Sequence, residues 1–213
     1  LETLQAGQEE RGGVTAQILS PRIPSDEALR LFGRRRWGNL FGLIRHKPAK
    51  VDDQGRATSI EKVWMPVYAY QFSLTHHGKQ VQSWVSVDGS FGGFALMGRV
   101  KELVSGSPEG EIFPPVLSDA EAENLAREGV VRYILRKRGA KPSVEDIVSR
   151  TMFYTPVWVY YFRTIGGQMD LAVLDAYSGD PMGGLVRRSI VEGFIAKSRE
   201  KARAQAHGDA SAL

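Results

Sequence analysis

Aromatic residues recur at every second position from Tyr68 to Phe72 within an aromatic and apolar run, Trp64-Met65-Pro66-Val67-Tyr68-Ala69-Tyr70-Gln71-Phe72. The pattern returns about ninety residues later, in Tyr154-Thr155-Pro156-Val157-Trp158-Val159-Tyr160-Tyr161-Phe162. A period of two is that of a strand, so Tyr68, Tyr70 and Phe72 share one side while Val67 and Gln71 point to the other. Trp158, Tyr160 and Phe162 repeat the arrangement. Each run leads to a hairpin turn, at His77-Gly78 or Gly166-Gly167, and then to a return strand, Gln80 to Val87 or Gln168 to Leu174. Asp88 and Asp175 then begin turns, each four residues before a glycine, Gly92 or Gly179. Pro66 and Pro156 donate no ladder hydrogen bond, so each is expected at an edge or a strand start.

Upstream of the strands, Pro21-Arg22-Ile23-Pro24-Ser25-Asp26 is echoed by Pro114-Pro115-Val116-Leu117-Ser118-Asp119. The duplication therefore covers more than the strands. Each Ser-Asp pair reads as a helix start, with Ser25 and Ser118 accepting from first-turn N–H groups and Glu121 completing a capping box. The first helix has an apolar stripe in Ala28, Leu29, Phe32, Leu40, Phe41 and Ile44, interrupted by Gly33, Gly38 and Gly42. Each glycine costs about 1 kcal/mol against alanine. The second has a cleaner stripe in Ala122, Leu125, Ala126, Val130, Tyr133 and Ile134. Beyond the second turn, Gly184 to about Ala206 reads as a further helix with Leu185, Ile190, Val191, Phe194 and Ile195 as its apolar members. Its first-copy counterpart, Phe94 to Val104, is a shorter helical or extended piece. The tail from His207 is expected to be disordered.

These elements predict an α+β fold of two tandem repeats, each a helix packed on an antiparallel β-sheet. A pseudo-two-fold relation between them is expected, because either repeat alone would leave an exposed edge and a thin core. The expected divisions are residues 1–13 as a linker or disordered N-terminus, 14–106 and 107–196 as the two α+β repeats, and 197–213 as the end of a C-terminal helix and a disordered tail.

Composition changes this picture little. The chain of 213 residues is 42% hydrophobic and 24% charged, enough apolar material for a core. No apolar run of about 18 residues suggests a transmembrane segment. The start is polar and lacks Met, so the chain is expected to be part of a longer protein. There is no cysteine, which removes disulfides, thiol nucleophiles and cysteine metal sites. The net charge of +4 is carried by the segment from Ser25 to Ile60, with eight basic residues against four acidic. That places Arg34, Arg35, Arg36, Trp37, Arg45, Lys47 and Lys50 as a candidate surface for nucleic acid or another anionic partner. A solvated helix face explains the same residues.

Candidate chemistry is sparse. Asp88 and Asp175 would share a proton if the repeats brought them together; the following glycines argue instead for Asp-initiated turns. The histidines are His46, His76, His77 and His207, and a neighbouring pair supplies too few ligands for a metal. No phosphate loop, dinucleotide fingerprint or nucleophile elbow is present. No cofactor, metal or catalytic residue is assigned. The dense aromatic set Trp64, Tyr68, Tyr70, Trp84, Tyr154, Trp158, Tyr160 and Tyr161 is either core or, where exposed, a platform for a protein partner, with Trp64, Tyr68, Tyr70, Tyr154, Trp158 and Tyr160 as the binding candidates.

A helix opened by Ser-Asp, a strand, a glycine hairpin and a return strand ending in Val-Asp-x-x-x-Gly resembles the PepSY domain and its cystatin-like relatives. The residues that carry the resemblance are Tyr70, Gly78, Val85, Val87, Asp88 and Gly92, and then Tyr160, Gly167, Val173, Leu174, Asp175, Ser178 and Gly179. The Pro-Val-aromatic-x-Tyr strand departs from that family. The resemblance implies a small non-catalytic binding or regulatory module, often outside the cytoplasm and attached to a protease or membrane protein. The leading expectation is thus a non-enzymatic protein-binding or regulatory module within a larger protein or assembly, gripping its partner by a sheet edge or aromatic face. The alternative is a binder of nucleic acid or another anionic surface through the basic first helix. Neither a compartment nor an oligomeric state is indicated.

Overall fold

The two period-two runs become the two longest strands and lie side by side. A computed structural model describes residues 16–33, 47–48, 60–76, 79–97, 102–138, 143–163 and 167–210. In chain order its elements are β1 (Ala16–Leu19), α1 (Ser25–Gly33), β2 (Lys47–Pro48), β3 (Ile60–His76), β4 (Lys79–Asp88), β5 (Phe94–Met97), β6 (Leu103–Gly106), β7 (Glu111–Ile112), α2 (Asp119–Arg138), β8 (Ser143–Arg163), β9 (Met169–Asp175) and α3 (Gly184–Ala210). The chain is α+β, and among the described residues nine strands make one continuous mixed sheet in the order β5-β4-β3-β8-β1-β6. β2 and β9 also pair with β8, and β7 with β3. The expectation of an antiparallel sheet for each repeat is thereby corrected: both repeats feed one sheet, and β1 on β8 and β7 on β3 are parallel.

Pairing follows the sequence repeat. β3 and β8 run antiparallel from Ile60 opposite Tyr160 to Thr75 opposite Ser143, with bulges around Phe72. Met65 lies opposite Thr155, its counterpart in the other repeat. Val67 pairs with Asp88 just as Val157 pairs with Asp175. Ile18 of β1 stands opposite Tyr154, and Ile112 of β7 opposite Trp64.

The helices correct a second expectation. α1 packs on β8 and β9, the strands of the second repeat, and α2 packs on β3 and β4, the strands of the first. Between β4 and α2 the chain supplies β5, β6 and β7, and α2 then lies back on the β3–β4 hairpin that precedes them. Local periodicity specifies which face of a helix is apolar, but not which sheet surface receives it.

Both prolines sit inside the two central strands, yet each occupies a local edge. The Gly89 N–H donates to the Pro66 carbonyl at 2.8 Å and the Ala176 N–H to the Pro156 carbonyl at 3.1 Å. Both carbonyls therefore point away from the β3–β8 ladder, and so do the ring nitrogens, into gaps between neighbouring strands.

Successive side chains alternate between two covered faces. Tyr68, Tyr70, Phe72, Val85 and Val87 pack beneath Ala122, Ala126 and Val130 of α2. Those small residues recur every four positions and let the helix approach closely. On the opposite face, Val63, Met65, Val157, Val159, Leu171 and Val173 lie under Val186 and Ile190 of α3. Farther along that face Val67, Ala69 and Phe153 are covered by Leu19, Trp84, Met97 and Leu103, so β1, β5 and β6 curl over it.

Several finer expectations also shift. The Pro24 carbonyl accepts from Ala28 N–H as the Ser118 carbonyl does from Ala122 N–H, so Ser25 is the first helical residue rather than the cap. Tyr133 of α2 is 40% exposed, and Leu185, Val191 and Ile195 face outward from α3. Phe94 to Val104, expected to be helical or extended, is extended where described, in β5 and the start of β6. α3 continues through His207 to Ala210, where a disordered tail was expected. Leu40, Phe41, Ile44 and residues 1–13 lie outside the described residues.

Candidate functional site

Asp88 and Asp175 occupy equivalent turns. The Ser90 and Phe91 N–H groups donate to Asp88 Oδ1 at 2.8 and 3.2 Å, and the Gly92 N–H to the Asp88 carbonyl at 2.9 Å. The Tyr177 and Ser178 N–H groups donate to Asp175 Oδ1 at 2.8 and 3.4 Å, and the Gly179 N–H to the Asp175 carbonyl at 2.9 Å. Gly92 and Gly179 have φ of 75° and 78°, a region that favours glycine. Burial raises both carboxyls above their ordinary value, opposed by the backbone N–H bonds. The two residues lie on β4 and β9, with β3 and β8 between them. Three strand spacings amount to about 14 Å, too far for a shared proton.

Each turn is a socket for the other repeat. The Gly89 carbonyl accepts the Val116 and Leu117 N–H groups, both at 2.9 Å, and the Ala176 carbonyl accepts those of Arg22 and Ile23, also at 2.9 Å. A Cβ on Gly92 would meet Leu125 and Leu117, and one on Gly179 would meet Leu31 and Ile23. The segment entering α1 is thus seated by the second repeat's turn, and the segment entering α2 by the first's.

The aromatic set clamps these segments in place. Trp64, Tyr68 and Tyr70 are buried, at 2%, 8% and 0% exposure. Trp64 Nε1–H donates to the Glu109 carbonyl at 2.8 Å, and the Tyr68 hydroxyl to the Leu117 carbonyl at 2.8 Å. The Tyr70 hydroxyl meets Asp119 Oδ1 at 2.9 Å, and burial pushes its pKa well up. In the second repeat Trp158 Nε1–H donates to the Ile23 carbonyl at 2.8 Å, Tyr160 stacks on Phe32 at 5.1 Å, and Tyr154 is half-buried. Trp64, Tyr68 and Tyr70 therefore offer no surface to a partner, because β3 is a central strand with both faces covered. Of the anionic-partner set, Arg34, Arg35, Arg36, Trp37, Arg45 and Lys50 lie outside the described residues, as do His46 and His77. Lys47 belongs to β2, opposite Arg163.

Among the described residues the outer edge of β9 is largely unpaired, as are the outer edges of β5 and β6, the strands that end the sheet. In the first repeat the outer edge of β4 is covered by β5, from Val87 opposite Phe94 to Trp84 opposite Met97. In the second repeat only the first rung survives. Leu174 bridges Pro181, and the Asp175 N–H donates to the Asp180 carbonyl as the Asp88 N–H does to Gly93. Then Gly183 and Gly184 turn the chain into α3, and Met169 to Ala172, paired with β8 on one side, have no strand on the other among the described residues. Met169 is 54% exposed. Sequence reasoning did not single out this edge. Its signal is the contrast between Phe94-Ala95-Leu96-Met97 after one turn and Pro181-Met182-Gly183-Gly184 after the other.

No protein-family model, curated protein or solved structure matches the chain. Among the described residues no helix is long and apolar enough to cross a membrane.

Proposed function

We propose that the chain is a non-enzymatic protein-binding module, built from two β-α-β-β repeats about a pseudo-two-fold axis near Met65 and Thr155. It takes an extended segment of a partner along the outer edge of β9. The observation behind this reading is the unequal finish of the two repeats: the β4 edge is paired with β5 from Trp84 to Val87, and the equivalent β9 edge carries one rung. Backbone pairing to an open edge is a general mode of peptide capture. The partner segment is extended and apolar, as β5 is. The PepSY-like resemblance favours a binding role of the same kind.

The test uses a synthetic peptide with the sequence of Gly93 to Gly98, Gly-Phe-Ala-Leu-Met-Gly. Amide exchange on the full chain should slow at Met169 and Leu171 when the peptide is added, with no change in β4. Two further peptides, N-methylated at alternate amides in the two phases, should differ: one binds and the other does not, because a strand turns every second N–H toward its neighbour. No protection at β9 at any peptide concentration, or equal binding by both methylated forms, would sink the proposal.

A further inference from the structure

Beyond its openness, the β9 edge carries a clasp. The Met182 N–H donates to the Val173 carbonyl and the Asp175 N–H to the Asp180 carbonyl, so the odd-numbered residues of β9 turn their backbone groups away from β8. Leu171 is in that phase. Its N–H donates to Asp170 Oδ1 at 2.8 Å, so the carboxylate curls onto the edge and takes the donor that a neighbouring strand's carbonyl would take. Leu171 and Val173 pack toward α3, and Arg187 reaches from that helix to the same Oδ1. The pair is partly open to solvent, with side-chain exposures of 42% for Arg187 and 37% for Asp170.

We infer that Asp170 and Arg187 form a gate on the β9 edge, in which the carboxylate stands in for a partner strand and is displaced when an extended segment binds. This rests on the reading of β9 as the docking edge. Three observations support it. The carboxylate occupies an outward ladder donor rather than an arbitrary surface group. The equivalent edge in the first repeat is filled by a real strand, β5, which shows what fits there. The clasp is also imperfect, because Arg187 Nε is buried without a hydrogen-bond partner among the described residues. A buried donor left unpaired carries a cost that rearrangement relieves. A charged residue guarding an open edge also discourages indiscriminate strand pairing.

Two measurements on the full chain separate the gate from the docking edge. The first needs no ligand: amide exchange in Asp170→Ala and Arg187→Gln. Leu171 should exchange about ten- to hundredfold faster in Asp170→Ala, the factor that one hydrogen bond to a charged acceptor represents. Ala172, whose N–H faces β8, should be unchanged. Arg187→Gln leaves β9 itself intact and should give a smaller acceleration at Leu171. Unchanged Leu171 exchange in both variants overturns the gate. The second measurement is affinity for the Gly93–Gly98 peptide, which should rise about tenfold in Asp170→Ala, since the carboxylate no longer competes for the Leu171 N–H. Equal affinity of variant and parent chain overturns the gate while leaving the docking edge standing. Accelerated exchange with no binding to either chain overturns the docking edge and leaves the carboxylate as an edge cap alone.

Discussion

Gly129 of α2 lies against the ring of Phe94, so close that a Cβ at residue 129 would be 2.2 Å from Phe94 Cδ2 and 2.5 Å from Cγ. This contact locks β5, the strand missing from the second repeat, under α2. Gly129→Ala gains about 1 kcal/mol of helix propensity, but it drives a methyl into the base of the ring rather than its mobile tip. The net expectation is a loss of roughly 1–3 kcal/mol in urea unfolding, the usual range for overpacking. Phe94→Ala loses packing on its own account. In the double variant the clash is gone, so the two losses should be less than additive. Additive losses would mean that the ring escapes without cost.

Capping distinguishes the starts of α1 and α2. The Ser118 N–H and hydroxyl both donate to Glu121 Oε2, at 2.8 and 2.7 Å, and the Glu121 N–H reaches Ser118 Oγ at 3.3 Å. In α1 the corresponding cap position is Pro24, which has no such side chain. Ser118→Ala should therefore cost about 1 kcal/mol, and Ser25→Ala much less, by thermal or urea unfolding. Similar losses at both sites would restore Ser25 as a cap.

That one-residue offset shows how far the sequence could be read. The Ser-Asp echo aligns Ser25 with Ser118, whereas the contacts align Ile23, Ala28 and Leu31 with Leu117, Ala122 and Leu125. The strands, hairpins and Asp turns were legible because period-two alternation and a glycine at fixed spacing are local signals. The seating of each helix on the other repeat was not, since an apolar stripe is satisfied by any matching surface. The burial of Trp64, Tyr68 and Tyr70 depended on β3 being central, which its own residues do not state. The Asp170–Arg187 clasp joins a strand to a helix across an intervening turn, and neither residue stands out from its neighbours in the sequence.

Tyr70 ties the sheet to the start of α2. Its hydroxyl meets both the carbonyl and Oδ1 of Asp119, at 3.0 and 2.9 Å. Tyr70→Phe leaves the ring packing and removes these bonds, so a loss of about 1–2 kcal/mol is expected. Burial and the Asp119 bond raise the Tyr70 pKa, and burial with Glu61 raises that of Tyr161. The folded state then keeps protons that the unfolded chain releases above about pH 10. Stability from these groups is intact below that pH and falls as pH rises beyond it. Tyr70→Phe should flatten that alkaline decline; an unchanged slope would show that Tyr70 does not contribute to it.

The Asp88 turn gives the opposite test, on the acid side. Burial raises its carboxyl above the unfolded value while the Ser90 and Phe91 N–H groups oppose the shift. In the window just above the ordinary carboxylate value of about 3.9 the folded state holds more protons than the unfolded chain. Stability from this group is therefore greatest below that window and declines as pH rises through the folded value. Asp88→Asn keeps an oxygen to accept the two N–H groups and carries no charge, so at pH 7 it should match or exceed the parent chain. Asp88→Ala loses the turn acceptors and should cost about 1–3 kcal/mol at every pH. The check is urea unfolding between pH 3 and pH 7. If Asn proves as damaging as Ala at pH 7, the charge itself holds the turn, and desolvation is not the dominant influence on this carboxylate.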